Sequence, residues 1–398
     1  MREATIIGVL GTTQIIGWGT TYFLPAILHP QLSAATGLPK TGIFAGVTTM
    51  ILVAAIAGVW TGRLLDRHGA RGGLVAGSLL LAVGLVALAA ATGPTLYFVA
   101  WALFGLGMPL TLSTGAYAFL AQRHGTGARR PISLLMLFAV LAQTVFWPLT
   151  LWLDGLLGWR NLCLLYAGLN VVALGLHARL PVKAANTFAS SATAVPTAGL
   201  VPEPRRKLAV VLLVLAISLS GFVSWGLDLH LVTVLMSFGL SQATAVGAGA
   251  ARGPVSLAAR LADLLASGRL SGVGVAAGAC AMTLAALLVA LFGGAGLVSA
   301  GAFLVLMAAG TGIMAVARNT LPLQLFGAGG YATLLGRIGL PTQIIFATAP
   351  PAFAWGMEQG GVSAVLAFSA FCMAGAVAAL LCLGRLCDPP RARGTTGT

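Results

Sequence analysis

The sequence predicts an all-α membrane protein of twelve transmembrane helices arranged as two pseudo-symmetric six-helix bundles. Three observations predict it. Only 8% of the 398 residues are charged against 58% hydrophobic, whereas a soluble domain carries about 25% charged residues, so this chain lacks the polar surface to cover a globule. Apolar runs of about 20 residues, enough to span a ~30 Å hydrocarbon core as helix, recur from end to end. Residue patterns of the first half also return in the second at a near-constant offset, the mark of an internal duplication.

The first six runs fall at 4–28, 41–61, 73–92, 95–121, 132–153 and 161–180. Run 1 is uncharged, places Gln14, Trp18 and Thr21 on one stripe at spacings of four and three, and carries Pro25, which bends it near one end. One Arg precedes it and no cleavage site follows, so it reads as a retained helix rather than a signal peptide. Runs 2 to 4 are rich in Gly and Ala, the small residues that let membrane helices approach closely. Run 5 holds Gln143 and run 6 holds Asn170; the first suits cavity lining or an interhelical bond equally, the second is read as structural. A Ser/Thr/Pro-rich stretch ending in Arg205, Arg206 and Lys207 then links the halves.

The second six runs fall at 208–235, 242–261, 271–292, 296–317, 337–356 and 362–384. Between Leu208 and Leu235 the only ionisable side chains are Asp228 and His230. Run 8 contains Arg252-Gly253-Pro254, where proline frees a carbonyl one turn back and favours a local break. Run 10 ends beside Arg318, either an anchor at the membrane face or a substrate contact, and run 11 holds Gln343. The expected domains are thus 1–180, a linker at 181–207, a second bundle at 208–384 and a tail at 385–398.

The net charge of +14 is spread between runs rather than gathered in a patch, which argues for charge-sorted topology and against nucleic-acid binding. With loops assigned alternately, eighteen Lys and Arg fall on the side of the termini and two, Lys40 and Arg160, on the other. Both termini are therefore expected in the cytoplasm. Arg-rich, Lys-poor composition with abundant Ala and Gly points to a GC-rich bacterial genome, hence a cell inner membrane. The five cysteines form no CxxC, and no metal cluster, phosphate loop or nucleophile–base set is present, so no cofactor and no enzyme activity are expected. The expected unit is a monomer in the lipid bilayer.

The duplication rests on four ordered matches. Trp18-Gly19 returns as Trp225-Gly226 at an offset of 207, and Gly37-Leu38 as Gly239-Leu240 at 202. GRLLD (62–66) returns as ARLAD (259–263) at 197, and FGLG (104–107) as AGTG (309–312) at 205.

The loop after run 2 reads GRLLDRHGARGGL, residues 62–74. Its Gly-Asp-Arg-Gly-basic spacing, carried by Gly62, Asp66, Arg67, Gly69 and Arg71, resembles the signature of the major facilitator superfamily. With twelve runs, a central linker and the repeat, the resemblance covers essentially the whole chain. It implies a gate latch, in which Asp66 and its arginines hold neighbouring helices together in the outward-open state. It also implies a central cavity lined by helices 1, 4, 7 and 10, with help from 2, 5, 8 and 11. Two departures stand out: run 5 lacks the GPxxGG-like element of drug/proton antiporters, and Trp101 occupies the place where many proton-coupled members carry Arg. ARNTLPLQLFG (317–327) is similar to a stretch of bacterial permeases of unassigned substrate and transfers none.

An Asp or Arg near a membrane-helix centre costs about 2.5–3.5 kcal/mol, which makes Asp228 and Arg252 the sharpest functional pointers. Each lies twelve residues from the turn at Leu240, about 18 Å along its helix at ~1.5 Å per residue, so the two share a depth and can pair. Asp can take up a proton whereas Arg stays charged and needs an anion. His230 lies about 200° round the helix from Asp228, so the two cannot face one cavity together. The candidates for substrate binding or coupling are Asp228, Arg252, His230, Gln14, Thr21, Gln143, Gln343 and Arg318. The expected activity is secondary transport of a small organic solute, an organic anion that competes with Asp228 for Arg252, with a proton as coupling ion. Efflux of an amphipathic compound with a purely structural pair is the alternative, and a non-transporting receptor or scaffold a remoter one.

Overall fold

A computed structural model describes residues 3–124, 129–181, 201–265, 271–326 and 331–387, and the described residues are helical apart from short turns. In the first half, α1 (Glu3–Thr20), α2 (Leu24–Thr36), α3 (Lys40–His68), α4 (Ala70–Ala89), α5 (Pro94–Thr111), α6 (Ser113–His124), α7 (Arg129–Leu157) and α8 (Trp159–Ala178) follow one another. In the second come α9 (Arg206–Ser237), α10 (Gln242–Ala250), α11 (Arg252–Leu265), α12 (Gly272–Phe292), α13 (Leu297–Phe326) and α14 (Tyr331–Leu386). Among the described residues nine helices are long and apolar enough to cross a membrane. The chain is an all-α membrane protein. Exposed Trp60, Trp152, Phe292 and Phe371 on the helix surfaces suit a lipid surround.

The helix boundaries differ from the sequence reading where proline or glycine intervenes. The first run, expected as one helix, is α1 and α2 separated at Thr21–Phe23. Pro25 clashes with the carbonyl four residues back, that of Thr21, which instead accepts from the Leu24 N–H at 3.1 Å. The same rule acts in the eighth run: Pro254 is four residues past Ala250, where α10 ends, and α11 restarts at Arg252. The fourth run breaks at extended Leu112 (φ −80°, ψ −153°), and Gly115 sits against the Leu110 carbonyl too closely for any Cβ. Runs 11 and 12 are the two arms of α14, bent at Gly361 (φ 74°). The tenth run continues past its expected end at 317 to Phe326, which puts Arg318 two turns inside α13. Most of the expected loop after run 2 is likewise helix: α3 runs to His68 and only Gly69 turns the chain.

Connections at Gly37, Gly158, Gly239 and Gly361 define one side of the molecule, here the far side; Gly69 and the 3-10 turn at Glu203–Arg205 belong to the near side. Gly37 and Gly239, matched in the duplication, both take φ values near the left-handed region, 70° and 85°. The Trp-Gly pairs recur as contacts too. Gly19 lies against Phe146 and Gly226 against Phe353, and in each case a Cβ would strike the ring. The two phenylalanines are themselves 207 apart. In contrast, the FGLG/AGTG match has the wrong register. Gly105 packs on Val53 of α3 and Gly312 on Ser256 of α11, so Gly105 corresponds to Gly312, again at 207. Gly226→Ala should therefore destabilise by about 1–3 kcal/mol through overpacking, read as a lower thermal midpoint in detergent. Gly8→Ala, where a Cβ meets nothing, should leave the midpoint unchanged or raise it.

The first half contains a buried polar network. His177 Nε2 meets Thr13 Oγ1 at 2.9 Å and its Nδ1 meets Ser78 Oγ at 3.0 Å. Ser78 reaches Thr111 Oγ1 at 3.0 Å, and Gln14 Nε2 donates to the Thr111 carbonyl at 3.0 Å. Asn170 adds a bond to Thr20 Oγ1 at 2.9 Å. These bonds tie α1, α4, α5 and α8 to one another.

The described bonds between the halves lie from mid-depth to the far side. Thr41 Oγ1 donates to Glu358 at 2.8 Å, and Phe44 lies 4.0 Å, ring to ring, from His230. Tyr22 meets Trp225 edge-on at 5.3 Å. One apolar cluster runs through both halves there, while a separate cluster around Ile6, Leu65, Leu74 and Leu120 on the near side belongs to the first half alone.

Candidate functional site

The break at Ala251 puts Arg252 at the first position of α11, and four helices converge on its guanidinium. It forms a close ion pair with Asp228 of α9. Nη1 donates to Gln143 Oε1 of α7 at 3.1 Å, and Nη2 to Thr311 Oγ1 of α13 at 3.4 Å. Nε has no partner, nor does Gln143 Nε2. Both charged side chains are largely withdrawn from the surface, at 15% and 21% exposure. A planar guanidinium that bonds three helices at once fixes their spacing as well as a charge.

Aromatic groups surround the pair. Trp18, Tyr22 and Trp225 are linked edge to face, and Phe23 meets Trp147. The Trp18 and Trp147 indole nitrogens and the Tyr22 hydroxyl are buried without hydrogen-bond partners. Buried polar atoms in native proteins are nearly always paired, and a cluster of orphans at one level is a candidate contact surface for a polar ligand. Two more cations belong to this region. Arg260 and Arg318 both lie near enough to Asp228 to interact with its charge, and among the described residues neither has a carboxylate partner. One acid thus faces three arginines.

The structure does not gather all the candidates. Asp228, Arg252 and Gln143 meet; Arg318 and Gln343 line an adjoining pocket with Trp225 and Phe346. His230 points away: it is 1% exposed, and its Nε2 meets the Pro350 carbonyl at 2.9 Å. Thr21 spends its hydroxyl on the Gly17 carbonyl of its own helix at 2.6 Å. Gln14 is engaged with the α5 carbonyl, leaving only its Oε1 unpartnered. In the signature stretch, the surroundings of Gly62 and the side chains of Asp66 and Arg67 lie outside the described residues. Gly69 makes the turn into α4 with φ 82°, and Arg71 donates to the Ala178 carbonyl at the end of α8. Trp101, standing where Arg was expected, is fully buried against Gly46. Among the described residues no group of acids, histidines and cysteines could hold a metal.

Sequence reasoning missed Arg260, Tyr22, Trp147 and Thr311. Arg260 was counted as a topological charge, yet it lies eight residues after Arg252, a spacing that puts both on one helix face. The others are apolar or weakly polar residues within apolar runs, and no spacing singles them out.

The sequence matches the Major Facilitator Superfamily over residues 10–350. No curated protein matches it. Among solved structures, the chain is similar to the nucleoside transporter NupG, at 13% identity and a TM-score of 0.71, with 97% of this chain and 99% of that chain covered. It is also similar to a bacterial homologue of the human lysosomal transporter Spinster, inward-facing and occupied, at 14% identity and a TM-score of 0.69 with 97% and 98% covered. A third is the human organic anion transporter MFSD10 (TETRAN), at 16% identity and a TM-score of 0.65 with 96% and 100% covered. At such identities the likeness carries the fold.

Proposed function

The chain belongs to the Major Facilitator Superfamily, and from that premise we propose a small organic anion as its substrate, carried by alternating access together with a proton. The observation that supports this reading is the Arg252–Asp228 pair, set at a helix break among unpartnered polar groups. An arginine in the membrane requires an anion. In this scheme the incoming carboxylate displaces Asp228 from Arg252, and Asp228, left without its cation, takes up a proton and becomes neutral. Two further arginines against one acid give the surroundings an excess of positive charge, which favours an anion over a cation. A transporter that exposes Arg252 to each side in turn then moves anion and proton together.

Twelve crossings follow if α1–α2, α5–α6 and α10–α11 are each read as one broken crossing and the arms of α14 as two. The charge count supports a cytoplasmic near side with both termini there, in a scheme where the membrane is an inner membrane and the two six-helix bundles are the moving units. In this scheme the far-side contacts between halves support an inward-facing state, and the resemblance assigns Asp66 and its arginines the role of a latch on the opposite, cytoplasmic face. A monomer suffices, since the site lies within one chain.

Counterflow in proteoliposomes tests the substrate class. Vesicles loaded with an unlabelled carboxylate from a panel of small organic acids should accelerate entry of the labelled acid. Lipophilic cations inside should have no such effect. Exchange driven by the cations alone would replace the anion reading with efflux of amphipathic compounds.

A further inference from the structure

Arg318 has a different setting from Arg252. Its guanidinium lies over the Phe346 ring, 5.5 Å from the centroid. Trp225 stacks on the same ring, at 6.0 Å and 12° between planes. Together they form one wall of an open pocket of about 200 Å³, which Ile217, Pro322 and Gln343 also line. That is below the ~300–1,000 Å³ of drug-sized sites and suits a single small ring. The pocket lies in the near half of α9, α13 and α14, and Tyr22 closes the edge of Trp225 above it.

The charge and the wall ask for different things. A guanidinium keeps its proton and needs an anion, and the acid within its reach is already held by Arg252. A flat indole–phenyl face needs a flat apolar partner, and rings bind such faces better than chains do. A short aliphatic acid satisfies the first demand and leaves the wall uncovered. A dicarboxylate satisfies the charges and puts a second anion against apolar side chains, at a desolvation cost.

We propose that Arg318, Trp225 and Phe346 form a specificity pocket that selects aromatic monocarboxylates, with the carboxylate on Arg318 and the ring against Trp225. This rests on the anion reading above and names the substrate class. Arg318 is the entry contact from the near side, and Arg252, deeper and shielded by its three partners, is reached when the carboxylate moves on to displace Asp228. Gln343, exposed at the pocket edge, supplies an amide for the carboxylate oxygen that Arg318 leaves free.

Titration of the purified full-length protein in lipid nanodiscs with benzoate, acetate and succinate tests the assignment. Benzoate should bind about tenfold or more tightly than acetate, as ring stacking and cation–π contact imply, and succinate should not exceed it. Trp225→Leu should reduce the benzoate advantage and spare acetate. Arg318→Ala should weaken benzoate about tenfold or more, and Arg318→Lys, which keeps the charge without the planar fork, should recover part of the loss. Equal affinity for benzoate and acetate, a preference for succinate, or unchanged benzoate binding in Arg318→Ala would overturn the pocket. If acetate or succinate still binds in an Arg252-dependent way, the anion reading survives that result. If no carboxylate binds the unaltered protein, both fail together.

Discussion

Arg252→Ala should bring anion uptake in proteoliposomes down to background, a loss of about 100-fold or more. The substitution removes the cation that the substrate is proposed to seek, and it leaves Asp228 without its ion-pair partner, with only the charges of Arg260 and Arg318 still acting on it. Breaking one partner out of a buried pair costs about 3–5 kcal/mol, because the remaining charge stays buried without compensation. Gln143 and Thr311 lose their donor at the same time, so the thermal midpoint should fall as well. Two companion variants separate fold from function. Arg252→Lys keeps a positive charge that can face Asp228 but cannot reach Gln143 and Thr311 simultaneously, and should transport at an intermediate rate. A double Arg252→Ala, Asp228→Ala variant removes the stranded charge, and should recover stability while remaining inactive. Uptake by Arg252→Ala at the normal rate would remove this residue from the transport scheme.

Asp228→Asn should have the second-largest effect, on coupling rather than on binding. Asn is nearly the same shape and keeps an oxygen that can accept from Arg252, but it cannot gain or lose a proton. Counterflow, which needs no net proton movement, should persist. Uptake that accelerates in the unaltered protein when the outside is made more acidic should lose that acceleration. A neutral amide also competes less well than a carboxylate for Arg252, so the substrate should bind more tightly. If Asp228→Asn still responds to an imposed proton gradient, the proton travels on another group. His230 is poorly placed for the task, with its ring between Phe44 and the Pro350 carbonyl.

Fold class, the order of apolar runs and the duplication were legible because each depends on composition, periodicity and spacing. Boundaries were less so, and proline explains two of the misses. Pro25 and Pro254 were visible, but an apolar run gives no sign of whether neighbouring helices will hold it straight or let it part. At the site, the depth argument from Leu240 anticipated that Asp228 and Arg252 share a level because a helical hairpin makes depth a count of residues. What no count supplies is azimuth across helices. Thr21 was singled out on the stripe with Gln14 and Trp18, yet it turns back on Gly17, while Tyr22 beside it faces Trp225. The FGLG match failed for a related reason: glycines are frequent enough for a two-residue slip to look like a register, and only their contacts distinguish the two.

The hydrogen bonds radiating from His177 have a mechanical consequence. They cross-brace the first half among buried side chains, where a broken bond leaves an orphan with few alternatives. In the second half, Arg252 bonds Gln143 and Thr311 and pairs with Asp228, and it is the group proposed to change partners during transport. On the proposed scheme the first half would act as the stiffer jaw and the second as the more compliant one. Substrate binding would deform the compliant jaw against a rigid anvil, so a cycle of motion begins on the side that carries the charge.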